Sequence, residues 1–293
     1  MTGIIEALQR ALALPCFTAP EAARPLGGGK TNVNIWLKDQ GRAYVVRLGH
    51  DIIEHGILRW HELAVSRAAH ATGVSPRVVH SEPGALVLEY IDAEPLTEAD
   101  IRAPETLPAL VNLLHRTHRQ IPRHLRGPIL SFHVFHILHD YAATLHETGS
   151  PHCAKLPELL AQAEHLASMI GPQPLVLGHN DLLPSNILRG EGRLWLIDWE
   201  YAGFTSPLFD LGGLASNAGM DRAAEIALLT GYFGTPPDAD LLRRYDAMKC
   251  ASLLRETFWS MVSEQTSALD FDYAAYTNMN LAAYRAAFAQ LSL

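Results

Sequence analysis

The sequence has few cysteines and no excess of basic residues, and each shortage excludes a class of protein. Its three cysteines, Cys16, Cys153 and Cys250, are widely separated and lack the CxxC spacing of metal and redox sites. The 23 basic residues are outnumbered by 31 acidic ones, which gives a net charge of −8. Because a nucleic-acid backbone needs a basic surface, we expect no nucleic-acid partner.

Long apolar runs and internal repeats are also absent. No stretch of 18 apolar residues occurs, so no membrane helix is predicted. Residues 1–14 carry Glu6 and Arg10 on a helical pattern, unlike the basic flank, apolar block and cleavage site of a signal peptide. We therefore expect a cytoplasmic protein without a membrane partner. The 293 residues, 48% of them hydrophobic, are close to the size at which one core divides into two lobes.

Two parts of the chain differ in their patterns. The N-terminal part, about a third of the chain, has the pattern of two strands, a helix and two more strands, at 33–38, 43–48, 57–72, 77–80 and 85–90. After a polar segment, helical periodicity dominates at 105–120, 134–148, 156–170, 220–233, 238–267 and 273–293. We predict an α+β N-terminal lobe at 1–91, a hinge at about 89–95 and a helical C-terminal lobe at 92–293.

One non-helical island at 175–207 carries most of the candidate chemistry. It contains H-N-D-L-L-P-S-N at 179–186, which fits H-x-D-x-x-x-x-N, and Asp198 follows Asn186 by twelve residues. Phosphoryl transfer needs a carboxylate to accept the hydroxyl proton of the substrate and oxygen ligands to hold Mg²⁺ against the phosphates. A hairpin with its turn at 189–192 would bring Asn186 and Asp198 together. The alternative is a polar turn whose side chains cap local backbone.

Together with I-D-W-E-Y-A-G at 197–203, this motif resembles the aminoglycoside phosphotransferase and choline kinase superfamily, closest to its choline/ethanolamine kinase branch. The resemblance implies a bilobal protein-kinase-like fold, with a small antiparallel-sheet N-lobe, a larger mostly helical C-lobe and ATP bound between them. It implies Asp181 as the catalytic base, and Asn186 and Asp198 as ligands of Mg²⁺. Asp210, in a segment like one that follows the metal ligand in the family, is expected to brace the backbone of the catalytic loop.

The resemblance extends to the nucleotide side of the site. G-G-G-K-T-N-V-N at 27–34 is similar to the branch's Gly-Gly-x-Thr-Asn loop, and V-V-R-L at 45–48 resembles the strand that carries the phosphate-binding lysine of protein kinases. Arg47 would contact the phosphates and pair with Glu62, with Glu54 as the competing partner. A flexible turn and an exposed strand-end arginine are the alternatives. The implied nucleotide-binding residues are Gly28, Gly29, Lys30, Thr31, Asn32, Arg47, Glu62, and Glu89 and Ile91 at the hinge.

The C-terminal run at 254–276 resembles the choline kinase segment that supplies an aromatic pocket. A quaternary ammonium cannot donate hydrogen bonds, so aromatic faces and carboxylates must recognise it. The implied acceptor-binding residues are Tyr201, Glu256, Trp259, Phe271 and Tyr276. Glu256 stands where eukaryotic choline kinases have a second tryptophan, so ethanolamine or another amino alcohol stays open. Without the resemblance, these aromatic residues are typical of a helix stripe that fills a core.

These observations predict a kinase that transfers the γ-phosphoryl group of ATP, with Mg²⁺, to the hydroxyl of a small amino alcohol, choline or ethanolamine. Thiamine or an aminoglycoside is the alternative acceptor. A nucleotide-binding module without turnover is the alternative of another class. The sequence leaves the oligomeric state open, with a homodimer as one option.

Overall fold

A five-stranded antiparallel sheet dominates the N-terminal part of the molecule. The structure, a computed structural model, describes residues 2–27, 31–267, 269 and 271–291. The strands of this sheet are β1 (Pro20–Leu26), β2 (Val33–Asp39), β3 (Arg42–Leu48), β4 (Val78–Glu82) and β5 (Ala85–Glu89). They lie in the order β1-β2-β3-β5-β4, and every neighbouring pair is antiparallel.

The sequence pattern predicts four of these strands but not β1. This strand lies at the edge of the sheet and exposes most of its side chains, so its residues P-E-A-A-R-P-L do not alternate between apolar and polar. Proline is tolerated there because one side of an edge strand needs no backbone donors. Beside the sheet, helix α1 (Thr2–Leu12) buries Ala7 and Ala11 in a small core with Ile35 and Val46.

Between β3 and β4 the chain forms a short 3-10 turn, Ile53–His55, and helix α2 (Arg59–Ala71). The helix buries Val65 and Ala69 in the larger hydrophobic core of the molecule, which also contains Leu110 from the following helical part. Because the small core of the sheet is a separate cluster, α2 is anchored mainly on the large one. The lobe boundary at residue 91 stays a prediction.

Helices make up most of the chain after β5. They are α3 (Glu98–Arg102), α4 (Leu107–Arg119), α5 (Val134–Glu147), α6 (Leu156–Ile170), α7 (Pro207–Asn217), α8 (Arg222–Phe233), α9 (Ala239–Thr266) and α10 (Tyr273–Leu291). The 28-residue α9 packs against α5, α6, α7 and α10. In the described part of the chain, no helix combines the length and the apolar character that crossing a membrane requires.

The predicted island forms two small sheets. One has the order β6-β8-β9, from Glu94–Pro95, Ile187–Gly190 and Arg193–Leu196, and the other pairs β7 (Val176–Gly178) with β10 (Gly203–Thr205). The β8–β9 hairpin is confirmed, with Ile187 opposite Leu196. The helix that follows, α7, was not predicted. Eight of its eleven residues are buried, so its sequence lacks the polar stripe that marks an amphipathic helix.

Candidate active site

The loop that carries the candidate base begins where β7 ends. The backbone N–H groups of His179 and Asn180 donate to the two carboxylate oxygens of Asp210, at 2.8 and 2.7 Å. Asn180 has a left-handed backbone (φ 65°), a conformation that is strained for a residue with a side chain. The two bonds hold the loop in this conformation, which confirms that Asp210 braces its backbone.

Asp210 is fixed in turn by His118, a fully buried residue of α4. His118 Nε2 lies 2.9 Å from Asp210 Oδ2, and its Nδ1 lies 2.7 Å from the hydroxyl of Tyr232. Burial acts to raise the pKa of Asp210, but the hydrogen bond from His118 helps to hold that pKa below its ordinary value. The sequence analysis missed this contact. A signal was present, because His118 lies on the same buried face of α4 as Leu114 and Thr117.

Asp181, Asn186 and Asp198 converge at the open end of the β8–β9 hairpin. The Asn186 Nδ2 group donates to the backbone oxygen of Asp181 at 3.0 Å and approaches its carboxylate Oδ2 at 3.3 Å. On the opposite strand, the Ile197 N–H donates to the backbone oxygen of Asn186 at 3.0 Å, so Asp198 follows immediately beside it. Asp198 also has a left-handed backbone (φ 71°). The hairpin thus places Asn186 against Asp181 and brings Asp198 next to the backbone of Asn186.

The donor set at this point suits a hard cation. Because Asn186 uses its amide nitrogen towards Asp181, its amide oxygen is left to act as a ligand. Mg²⁺ takes oxygen ligands and is commonly held by one or two side chains together with substrate phosphates. Within the described ranges, no group of three or more His, Cys, Asp or Glu residues is placed to hold a metal. A metal at Asn186 and Asp198 would therefore need phosphate oxygens or water as further ligands.

Arg47 on β3 connects the sheet to this hairpin. Its Nη2 lies 2.7 Å from Asp198 Oδ1 and 3.6 Å from Glu200 Oε2, and its Nε lies 3.2 Å from Glu62 Oε1. The predicted partner Glu62 is thus the one that the structure places beside Arg47, rather than Glu54. Burial acts to raise the pKa of Asp198, but the charge and hydrogen bond of Arg47 hold that pKa below its ordinary value. One buried guanidinium therefore compensates several carboxylates.

Glu200, two residues after Asp198, was not predicted as a site residue. Its carboxylate accepts hydrogen bonds from Thr31 Oγ1 at 2.7 Å, Asn32 Nδ2 at 3.0 Å and Arg59 Nη1 at 3.1 Å. Burial, together with the charge of Asp198, raises the pKa of Glu200. Thr31 and Asn32, the expected phosphate contacts, therefore lie at the candidate metal site and bind a carboxylate there. Its position only two residues after Asp198 was the sequence signal that could have identified Glu200 as a site residue.

For the remaining residues predicted to bind the nucleotide, the structure gives less information. Gly28, Gly29 and Lys30 lie outside the described residues. At the hinge, the Glu89 N–H donates to the Arg77 backbone oxygen at 2.9 Å, and its carboxylate pairs with the Arg77 side chain at 2.6 Å. Ile91 follows two residues later. Adenine contacts at Glu89 and Ile91 stay predictions.

A cavity of about 390 Å³ opens beside the candidate base. Asp181 lines it together with Glu256 of α9 and Tyr276 of α10. Burial raises the pKa of Asp181 to about 8, while Arg255 acts to lower it and Glu256 to raise it. A carboxylate with a raised pKa that faces a cavity is typical of a group that exchanges a proton with a substrate.

The five predicted acceptor residues do not all line this cavity. Glu256 and Tyr276 do, and the Tyr276 hydroxyl donates to Glu256 Oε1 at 2.7 Å. Trp259 and Tyr201 line other pockets, and the Trp259 indole N–H donates to the Tyr201 hydroxyl at 2.7 Å. The ring of Phe271 lies 5.7 Å from that of Tyr276. The structure thus separates a polar pair in the cavity from an aromatic cluster around it, and all five roles stay predictions.

Arg255 is a further site residue that the sequence analysis did not single out. It is buried on α9, with its guanidinium carbon 4.4 Å from the centre of the Tyr201 ring and its Nη1 3.0 Å from Glu256 Oε2. It also lines the cavity of Asp181. Ala251 and Phe258, one turn away on the same face of α9, are fully buried. A charged residue on such an apolar helix face is unusual, and this was the sequence signal for Arg255.

The fold and this site together define a phosphotransferase of the kinase-like type. The family model described as "Phosphotransferase enzyme family", APH, matches residues 22–252. The chain belongs to this family. The predicted kinase-like fold is also confirmed by solved structures. A choline/ethanolamine kinase family protein from Mesorhizobium loti matches with a TM-score of 0.77 at 24% identity, covering 97% of this chain and 94% of that one.

Further similarities lie in the same branch of the family. The choline kinase LicA from Streptococcus pneumoniae matches with a TM-score of 0.78 and 22% identity over 99% of both chains. Protein LicA of Haemophilus influenzae is 28% identical over 210 residues, which span 70% of this chain and 61% of that protein. Ethanolamine kinase 2 of Mus musculus is 25% identical over 82% of this chain and 68% of that protein. A spectinomycin phosphotransferase gives a lower TM-score, 0.60.

Proposed function

We propose that this protein transfers the γ-phosphoryl group of ATP to the hydroxyl of a small amino alcohol, choline or ethanolamine. The observation that carries the proposal is the position of Asp181. Its carboxylate lines a cavity that it shares with Glu256, and it also contacts Asn186 at the end of the hairpin that holds Asp198. Relatives named as choline and ethanolamine kinases support the choice of acceptor.

The side chains have distinct roles in this reaction. Asp181 orients the acceptor hydroxyl and accepts its proton as the oxygen attacks the γ-phosphorus and ADP departs. Mg²⁺, when held by Asn186 and Asp198, would neutralise charge on the phosphates. Arg47 fixes the position of the Asp198 carboxylate and offsets part of its charge, and its predicted contact with the phosphates belongs to this proposal. The predicted roles of Lys30, Thr31 and Asn32 towards the phosphates belong to the same proposal.

The test is a panel of hydroxyl acceptors with Mg-ATP, scored by ADP release and by the mass of the product. Choline, ethanolamine, thiamine and an aminoglycoside cover the predicted acceptor and its alternatives. We expect turnover with an amino alcohol, and a loss of about 10²- to 10⁴-fold in kcat for Asp181→Asn, the range typical of a positioned general base.

Two outcomes would contradict the proposal. If ATP binds but no acceptor is phosphorylated, the protein is a nucleotide-binding module without turnover. If Asp181→Asn matches the wild type, the proton acceptor is a different residue. Thermal unfolding of the variant is the control that separates a lost base from a lost fold.

A further inference from the structure

The carboxylate of Glu256 is positioned from two sides at the wall of the acceptor cavity. Its Oε1 accepts a hydrogen bond from the Tyr276 hydroxyl at 2.7 Å, and its Oε2 accepts one from Arg255 Nη1 at 3.0 Å. The side chain keeps 28% of its surface exposed. An ionised carboxylate has about four acceptor positions, so these two bonds leave room for further donors. Glu256 is thus oriented and still able to bind a ligand.

Two of the predicted acceptor aromatics, Tyr201 and Trp259, already have a protein group against one ring face. The ring of Tyr201 already carries the guanidinium of Arg255, at 4.4 Å from its centre. The ring of Trp259 stacks on His55, with 5.1 Å between ring centres and 28° between planes. Cation–π recognition needs the cation over a ring face. At Tyr201 the protein's own cation covers one face, and at Trp259 an imidazole covers one face.

The charges around the cavity favour a cationic ligand that can donate hydrogen bonds. More acidic than basic residues line the cavity, because Arg255 is accompanied there by Glu98, Asp181, Asp210 and Glu256. Because Arg255 is buried against Tyr201 and bonded to Glu256, it orients the carboxylate without filling the cavity. Recognition by Glu256 would therefore combine charge with directed N–H bonds.

We propose that Glu256 selects amino alcohols whose nitrogen carries N–H groups, so that a primary ammonium such as that of ethanolamine is preferred to a quaternary one. This inference rests on the proposed function and names its substrate class more narrowly. A primary ammonium donates to Glu256, whereas a quaternary ammonium places methyl groups against the carboxylate and leaves its acceptor positions unfilled. Sites built to bond an N–H or O–H reject analogues that lack it.

The test compares kcat/KM at saturating Mg-ATP for ethanolamine and for its N-methyl, N,N-dimethyl and N,N,N-trimethyl derivatives, the last being choline. We expect a decline along the series, with ethanolamine preferred to choline by roughly tenfold or more, as expected for loss of a hydrogen bond to a charged group. Equal or better use of choline would overturn this inference alone. Absence of turnover with all four compounds would overturn the proposed function, and the inference with it.

The variant Glu256→Gln tests whether the preference for ethanolamine over choline comes from this residue. It keeps the size of the side chain but removes the charge and one strong acceptor, so kcat/KM for ethanolamine should fall more than that for choline. The ratio between the two acceptors should then shrink by about tenfold. An equal fall for both would show that only the overall charge matters, contrary to the proposal.

A matched control removes one negative charge elsewhere. Glu105→Gln lies in the exposed segment between α3 and α4 and does not line the cavity. We expect its acceptor ratio to equal that of the wild type, and a change as large as that of Glu256→Gln would overturn the assignment. Stabilisation of Glu256→Gln against heat by Mg-ATP serves as the check that the variant is folded.

Discussion

The phosphate side and the acceptor side of the cavity are built in different ways. On the phosphate side, the buried Arg47 and the partly buried Arg59 lie among the carboxylates of Glu62, Asp198 and Glu200, at N–O distances of 2.7 to 3.6 Å. On the acceptor side, the cavity of about 390 Å³ is lined by residues of α3, the catalytic loop, α7, α9 and α10, with Arg255 paired to Glu256. The dense network, in which carboxylates outnumber arginines, suits a metal–phosphate complex, whereas the acceptor wall, with its different side chains, can set the choice of acceptor.

The two sides also differ in what anchors them. The sheet that carries Arg47 has its own small core, while α2, which carries Glu62, is packed into the large one. The ion pair between them therefore joins two cores. The acceptor wall belongs entirely to the large core, through α9 and α10. We expect substitutions on the phosphate side to change the rate of phosphoryl transfer, and substitutions on the acceptor side to change acceptor affinity.

The largest effect is expected from Asp198→Asn. This change removes a metal-binding carboxylate and the partner that lies 2.7 Å from Arg47 Nη2. Since a bound metal contributes several kcal/mol of charge stabilisation, kcat should fall by at least roughly hundredfold. ADP release measured against Mg²⁺ concentration gives the loss and any shift in the metal requirement.

A carboxylate of similar structural role outside the site is the control for this prediction. Asp246→Asn also removes a carboxylate from an arginine, Arg222, at 2.6 Å. We expect it to retain full activity. If Asp198→Asn kept the wild-type rate at the same Mg²⁺ concentration, Asp198 would not be a metal ligand.

A smaller effect, on stability, is expected from Asp181→Asn. Burial raises the pKa of Asp181 to about 8, whereas the unfolded chain has the ordinary value of 3.8. Between these values, the folded protein binds a proton more tightly than the unfolded chain, so stability is lost as pH rises through about 8. Asparagine removes this cost, and the variant should melt a few degrees above the wild type at about pH 8.

The difference in melting temperature should shrink towards about pH 5, where the folded wild type holds its proton. Thermal unfolding at both pH values measures it. An exposed aspartate on α5 provides the control, because Asp140→Asn is a surface substitution and should change the melting temperature little at either pH. A gain that is the same at both pH values would mean that the charge of Asp181 is not the cause.

The smallest effect is expected from Trp259→Phe on the acceptor side. The change keeps an aromatic ring but removes the hydrogen bond to the Tyr201 hydroxyl at 2.7 Å, which should cost about 1 kcal/mol of stability. If the aromatic cluster supports the wall without touching the acceptor, KM for the amino alcohol should rise less than roughly tenfold. A rise of hundredfold or more, with kcat unchanged, would make Trp259 a direct contact.

The phosphate side was largely predictable because its chemistry is local in the chain. The H-x-D-x-x-x-x-N motif and the hairpin turn place Asp181, Asn186 and Asp198 within 18 residues. The pairing of Arg47 with Glu62 required only the order of one strand and one helix. The edge strand β1 and the buried helix α7 escaped prediction, because one is exposed on both faces and the other lacks a polar stripe.

The contacts that no sequence pattern predicted join residues that are far apart in the chain. Thr31 and Glu200 are 169 residues apart, and His118 and Asp210 are 92 apart. Each contact depends on which faces of helices and strands meet, and the periodicity of a single segment carries no information about its partner. The register of α9 and α10 likewise decided that Glu256 and Tyr276, rather than Trp259, line the cavity of Asp181.

The sequence by itself therefore determined the family, the catalytic motif and most of the regular elements, since local spacing specifies those. Only the tertiary structure decided which charges compensate one another and which side chains form the acceptor wall. The physical reason is that a charge network takes its energy from distances of a few ångströms in space, and these distances exist only after the segments have packed.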